Sequence, residues 1–214
     1  MKHRDEIEIK LKVTHRREMK QQIKALGFAP TGPRVHERNV LYDFPDRALA
    51  KTHCALRLRS ARGRHWLTFK GSPSRSRKFK IREEIETAVE DAEQLNGILN
   101  ALGLRPVFVY QKYRTTYTAG PAPARGRLPT LAFDETLAGD YVELEGARSW
   151  ISAVASQLGF DGRDYITESY VRLLAASGKQ SPGKQLTAAA TRPEVLASIL
   201  PIRSGMKKPQ LRLP

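Results

Sequence analysis

The chain has 214 residues, 40% hydrophobic and 28% charged, enough for one sizeable core or one domain with a tail, and its net charge of +15 asks for an anionic partner. Its apolar runs are only a few residues long, far below the roughly 20 that span a bilayer, and the N-terminus is charged from Lys2 with no apolar leader, so a cytoplasmic protein is expected. The single cysteine, Cys54, excludes an internal disulfide and a multi-thiol zinc site.

The first stretch, Glu6-Ile7-Glu8-Ile9-Lys10-Leu11-Lys12, alternates with the period of a strand, so Glu6, Glu8 and Lys10 share one face and Ile7, Ile9 and Leu11 the other. Thr14 is placed to cap a helix that runs to about Leu26, with Met19, Ile23 and Leu26 on its apolar side and Gly27 as its stop. A turn through Pro30, Gly32 and Pro33 leads to a strand over 35–44. Segments 55–59, with Arg57 and Arg59 opposite Leu56 and Leu58, and 66–70, ending on Lys70, form a hairpin around Gly63.

After a basic loop over 71–78, the strand 79–89 sets Arg82, Glu84 and Glu86 on one face. Asp91 caps a helix ending at Leu102-Gly103, and the strand 107–117 carries Lys112 and Arg114 together. Strands 130–135 and 141–145 follow, with Asp134 on the first and Glu143 and Glu145 on the second. Helices are expected over 147–158 and 169–176. Three helices end in Leu-Gly before a hydrophobic residue: Leu26-Gly27-Phe28, Leu102-Gly103-Leu104 and Leu158-Gly159-Phe160. From Ser177 onward seven basic residues face one acid in a Ser, Gly, Pro and Ala-rich context. That composition reads as a mostly disordered tail in which only 193–200 looks helical. Residues 1–176 are thus expected to form one domain and 177–214 a basic tail able to attract RNA or an acidic lipid surface.

Eight strands without β-α-β alternation favour an antiparallel sheet, and closing it removes its edges. The expected class is α+β, an eight-stranded antiparallel β-barrel with helices packed on the outside. Which face lines the interior is open at this level. Charged faces turned to solvent would be uninformative; but amphipathic helices need an apolar wall to cover, which would turn the aliphatic faces outward and the charged faces inward. A lumen of both signs would need a polyanion for its lysines and arginines and hard cations for its carboxylates.

The opening Glu6-x-Glu8-x-Lys10 resembles the signature of the CYTH family. It is followed in the family's order by LYD at 41–43, LRLR at 56–59, LTFK at 67–70, REEIE at 82–86, KYR at 112–114, FDE at 133–135, YVELE at 141–145 and SYVRLL at 169–174. The resemblance, which covers about 1–176, implies a triphosphate tunnel metalloenzyme: a class IV adenylate cyclase, a thiamine triphosphatase or an inorganic triphosphatase. It assigns Lys10, Arg57, Arg59, Lys70, Lys112 and Arg114 to a nucleotide or polyphosphate substrate. Glu6, Glu8, Glu84, Glu86, Asp134, Glu143 and Glu145 would share two Mg2+ or Mn2+ ions, and Lys10, Glu8 and Glu143 would be catalytic. Arg82 is read as either phosphate-facing or a residue of the mouth.

Hydrolytic members often carry a tyrosine where this chain has Leu41, which weakens a thiamine-triphosphatase-like reading; Tyr42 is no substitute. The run from Leu102 to Tyr117 and the segment from Asp134 to Glu143 are similar to class IV adenylate cyclases. Conversion of ATP to cyclic AMP and pyrophosphate is therefore the expected activity, with triphosphate hydrolysis or a noncatalytic polyphosphate- or RNA-binding barrel as alternatives. The oligomeric state is open, a homodimer among the options.

Overall fold

The structure is a computed structural model, and it describes residues 5–74, 76, 78–119 and 129–178. In chain order these form β1 (Asp5–Val13), α1 (Arg16–Ala25), β2 (Ala29–Pro30), β3 (Val35–Asp43), α2 (Ala48–Lys51), β4 (Ala55–Ala61), β5 (Arg64–Lys70), β6 (Lys80–Val89), α3 (Ala92–Ala101), β7 (Arg105–Thr118), β8 (Thr130–Thr136), β9 (Gly139–Glu145), α4 (Arg148–Gln157) and α5 (Tyr170–Ala176).

Eight of the strands close on themselves in the order β7-β3-β4-β5-β6-β1-β9-β8 and back to β7, every neighbour antiparallel. The expected barrel is present. Closure leaves its strands no long edge. Two short elements are additions: β2 pairs with the end of β7 through Ala29 and Thr118, where a plain turn is expected, and α2 interrupts the β3–β4 link. Thr14 does not cap α1. The helix starts one residue later, His15 occupies the cap position without a side-chain bond, and Thr14 is left outside the turn it would have to reach. Asp91 and Ser169 do cap, accepting backbone N–H bonds at the starts of α3 and α5.

The recurring Leu-Gly is a helix stop. Gly27, Gly103 and Gly159 all take left-handed φ, near 83, 91 and 86°, and the hydrophobic residue after each donates its N–H back five residues, Phe28 to Ile23, Leu104 to Leu99 and Phe160 to Ala155. Each helix is thereby turned so that its apolar side meets the barrel. On one flank Met19 and Ile23 of α1, with Ile151, Val154 and Ala155 of α4, cover Ile9, Leu11, Leu131, Phe133, Val142 and Leu144. On another, Ala92, Leu95 and Leu99 of α3 cover Val40, Tyr42, Leu58 and Leu67. The aliphatic faces point outward.

Since side chains alternate, the charged faces are committed to the interior. Beyond the end of its pairing with β6, β1 is bridged by Ile166, whose N–H and C=O exchange 2.9 Å bonds with those of Lys10. That bridge brings α5 onto the barrel, where Tyr170 and Leu174 pack with Tyr110 and Tyr141. Residues 179–214, including the expected helix over 193–200, lie outside the described residues.

Candidate functional site

Inside the barrel is a cavity of about 660 Å³. Glu6, Glu8 and Lys10 reach it from β1, Arg57 and Arg59 from β4, Lys70 from β5, Glu84 and Glu86 from β6, Lys112 and Arg114 from β7, and Glu143 and Glu145 from β9. Twelve of the thirteen residues singled out in the sequence are thus brought together. Asp134 is the exception. It is fully buried beyond the lining, where it accepts bonds from Lys112 at 2.8 Å, Arg114 at 2.7 and 2.6 Å and the Tyr170 hydroxyl at 2.6 Å.

Most of the charges on the wall are paired with one of opposite sign. Lys10, 2% exposed, sits 3.1 Å from both Glu8 and Glu143 and 5.0 Å from the Tyr170 ring centroid. Burial alone would push the Glu8 carboxyl up, but Lys10 and Lys80 outweigh it and hold the group well below the usual carboxylate range. The same contest, won by Arg114 and Lys10, keeps Glu143 ionised. Arg114 spans Glu143 and Asp134 with 2.6 Å contacts, a bidentate arrangement suited to guanidinium. Arg59 pairs with Glu86 at 3.2 Å and lies 3.9 Å from Glu37.

Along β6 the balance differs. Glu84 bonds to Lys70, yet its carboxyl is pushed up to about 7, by burial first and then by hydrogen bonding and repulsion from Glu6. A second carboxyl hydrogen bond joins Glu6 to Glu145. Carboxyls in mutual hydrogen bonds hold a proton where a cation could sit. This donor set of hard oxygens fits a divalent ion such as Mg2+ or Mn2+, although among the described residues no three acids already stand in ion-binding geometry.

Two interior residues, Lys80 and Glu37, escaped the sequence reading. Lys80 lines the cavity and lies 2.5 Å from Glu8; burial first, then the like charges of Lys10 and Lys70, lower its amine to about 8 despite that partner. It continues the alternation Lys80-Arg82-Glu84-Glu86, so the signal was present one step upstream. Glu37 is buried on β3 beside Lys112, and nothing charged flanks it on its own face. Arg82 lines the cavity while its guanidinium fastens the rim, donating to the carbonyls of Gly71 and His53 at 3.0 Å. Leu41 faces the cavity, whereas the Tyr42 hydroxyl points the other way to Asn96 of α3 at 2.9 Å. Trp66 stacks under Arg59 at 4.9 Å.

Counted by charge, the cavity lining with the buried Glu37 and Asp134 holds Lys10, Arg47, Arg57, Arg59, Lys70, Lys80, Arg82, Lys112, Arg114 and Arg172 against Glu6, Glu8, Glu37, Asp43, Glu84, Glu86, Asp134, Glu143, Glu145 and Glu168. A CYTH domain model matches residues 4–170. The chain belongs to the CYTH domain family. A curated relative from Methanocaldococcus jannaschii, named a "putative adenylate cyclase", is 35% identical over 112 residues, which are 52% of this chain and 63% of that protein. The match therefore spans less than two thirds of that relative's length. A solved structure from Vibrio parahaemolyticus bearing the same name superposes with a TM-score of 0.69 at 19% identity, covering 81% of this chain and 99% of the other. A Hippeastrum structure, named an adenylyl cyclase of the same provisional kind and described as having a dominant triphosphatase activity, gives 0.59 at 18% identity, covering 84% and 99%. At such identities the two structures establish the CYTH barrel as a shared fold. Among the described residues no helix is long and apolar enough to cross a membrane.

Proposed function

We propose that this CYTH chain is a divalent-cation-dependent enzyme acting on a triphosphate-bearing substrate, and that it converts ATP to cyclic AMP and pyrophosphate. The observation that carries the reading is the convergence, in one cavity of about 660 Å³, of six proposed phosphate ligands interleaved with an equal weight of carboxylates. A chain of three phosphoryl groups brings about four negative charges. A wall whose basic and acidic residues are matched in number would be left negative by the phosphates alone, so the polyanion is expected to enter with cations.

Glu6, Glu84 and Glu145, with Glu8 and Glu143, are the residues proposed to hold two ions, Mg2+ or Mn2+. Bound there, the ions would lower the pKa of an attacking hydroxyl and offset phosphoryl charge. In this scheme Arg57, Arg59, Lys70, Lys112 and Arg114 fix the phosphate chain and neutralise the charge that develops on departing pyrophosphate. Lys10, locked between Glu8 and Glu143, keeps both carboxylates oriented and contributes a buried positive charge. Asp134 acts through Lys112 and Arg114, which it holds in place, and Glu86 serves as the resting counter-ion of Arg59. The apolar part of the lining, Leu41, Val107, Phe108 and Val171, gives an organic group attached to the phosphates a surface to rest on.

Hydrolysis is the second reading, supported by the activity ascribed to the Hippeastrum relative. It uses the same cage with water attacking a terminal phosphorus. Incubation with Mg2+ or Mn2+ and, separately, ATP, tripolyphosphate and thiamine triphosphate separates the two. Cyclic AMP with pyrophosphate is the expected result; orthophosphate would move the assignment to a triphosphatase. Absence of any product, with Glu8→Gln indistinguishable from the parent and ligand binding indifferent to a chelator, would leave only a noncatalytic binding barrel.

A further inference from the structure

Lys80 is the interior cation for which neither the motifs nor the scheme above has a use. It opens β6 directly across from Glu8 in the strand register, and its ammonium lies 2.5 Å from Glu8 Oε1. That same oxygen is 3.1 Å from Lys10, so two ammonium groups draw on one acceptor atom. Their positions are not equivalent. Lys10 has a second carboxylate in Glu143, whereas Glu8 is the carboxylate with which Lys80 pairs among the described residues. The Lys80 side chain is only 10% exposed, and it lines the cavity together with Lys10 and Lys70.

A dication and an ammonium cannot share Glu8 at full strength. When Glu8 turns to an ion, a buried ammonium loses its counter-charge, and breaking a buried pair in that way is strongly unfavourable unless another anion takes over. The group that arrives with the ion is a phosphate chain, whose oxygens suit a lysine that can pivot on its stem.

Resting on the reading of the cavity as a triphosphate site, we propose that Lys80 is a further phosphate ligand of the channel: it is the counter-ion of Glu8 while no ligand is bound, and passes to a phosphate oxygen when cation and phosphates enter. Cation and phosphate chain then bind cooperatively, because each removes the obstacle to the other. Lys80 thereby excludes bare cations from Glu8 and strengthens the loaded complex.

The two halves of this exchange have opposite signs, which makes them separable from a structural role. Calorimetric titration of the full chain is run with magnesium alone, then with magnesium and an ATP analogue whose two bridging oxygens are replaced by methylene groups. Lys80→Met, which keeps the stem and removes the charge, is expected to bind magnesium alone several-fold more tightly than the parent and the analogue about tenfold more weakly, the scale of one charge-assisted hydrogen bond. Lys80→Arg should keep most of the analogue affinity. If Lys80→Met melts well below the parent, Lys80→Gln replaces it in the same comparison. Analogue binding at parent strength in a folded, charge-free variant overturns the proposal and leaves Lys80 a mere counter-ion; so does unchanged affinity for magnesium. A parent that binds no analogue sinks the triphosphate reading itself, and the Lys80 proposal with it.

Discussion

The two faces of the barrel wall are made by alternate residues of the same strands, yet they obey different rules. Outside, Ile9, Leu11, Val142 and Leu144 are buried by helices that need only apolar area of the right shape. Inside, Lys10, Glu8 and Glu143 are also buried but tolerate it through specific partners between 2.5 and 3.1 Å away, the half-buried Arg114 among them. Loss of a methylene on the outer face costs packing. Loss of a charge on the inner face strands the charge opposite it. The outer wall supplies stability, and the inner wall spends some of it to keep a polar channel poised.

The sharpest way to break this contrast is to truncate one residue on each face of the same strand. Lys10→Ala and Glu143→Gln are expected to lower turnover of the preferred triphosphate substrate by about 100-fold or more, the scale of removing one preorganised electrostatic contact. Ile9→Ala, one position from Lys10 and fully buried, should instead cost about 2–5 kcal/mol of stability and leave kcat of the folded fraction near the parent value. Denaturant titration and steady-state kinetics on the same preparations check both. Equal loss of turnover from Ile9→Ala would mean that the faces are not functionally separate.

A smaller effect sharpens the inner face alone. Glu84 titrates at about 7 in the folded chain against an ordinary 4.5, so folding favours its protonated form. Its contribution is fully present below about 4.5 and is lost as pH rises through about 7. In the absence of divalent cations, Glu84→Gln, which needs no proton, should therefore gain in melting temperature relative to the parent as pH is taken from 5 to 8. Magnesium binding by the parent should release a proton near pH 6 that Glu84→Gln does not release, read from titrations in buffers of different ionisation enthalpy. Equal proton release at pH 6 from parent and Glu84→Gln would remove Glu84 from the cation site.

These expectations rest on residues that were legible to different degrees. Period-two charge alternation exposed the channel face of β1, β6 and β9 directly, because each carries two or more charges at i and i+2. The direction of that face was not legible from any strand, since solvent and lumen both accept charge; the amphipathic helices, and the family resemblance, pointed inward. Glu37 was hidden because its face neighbours Val35, Asn39 and Leu41 are uncharged, and Lys80 because it abuts a loop where a basic residue looks solvated. That Asp134 lies behind Lys112 and Arg114 instead of on the cavity wall depends on strand tilt and stagger, which a sequence period does not encode. The Leu-Gly repeat was visible as a pattern, but its backbone bonds from Phe28, Leu104 and Phe160 gave it a cause.

The mildest intervention asks whether either face extends past α5. Among the described residues, those lining the cavity all precede residue 173, and the last to pack on that end of the barrel are Tyr170, Val171, Leu173 and Leu174. Residues 179–214 carry seven basic residues and one acid, a charge excess that draws anions at long range but is screened within about 10 Å at 0.1 M salt. A chain ending after Gly178 is accordingly expected to keep kcat within about twofold of the parent, while the salt dependence of its KM becomes shallower because a contribution to steering is gone. Kinetics at two ionic strengths test both statements. A large loss of kcat at either salt concentration would place part of the working inner face in the tail and shift the boundary of the catalytic unit beyond α5.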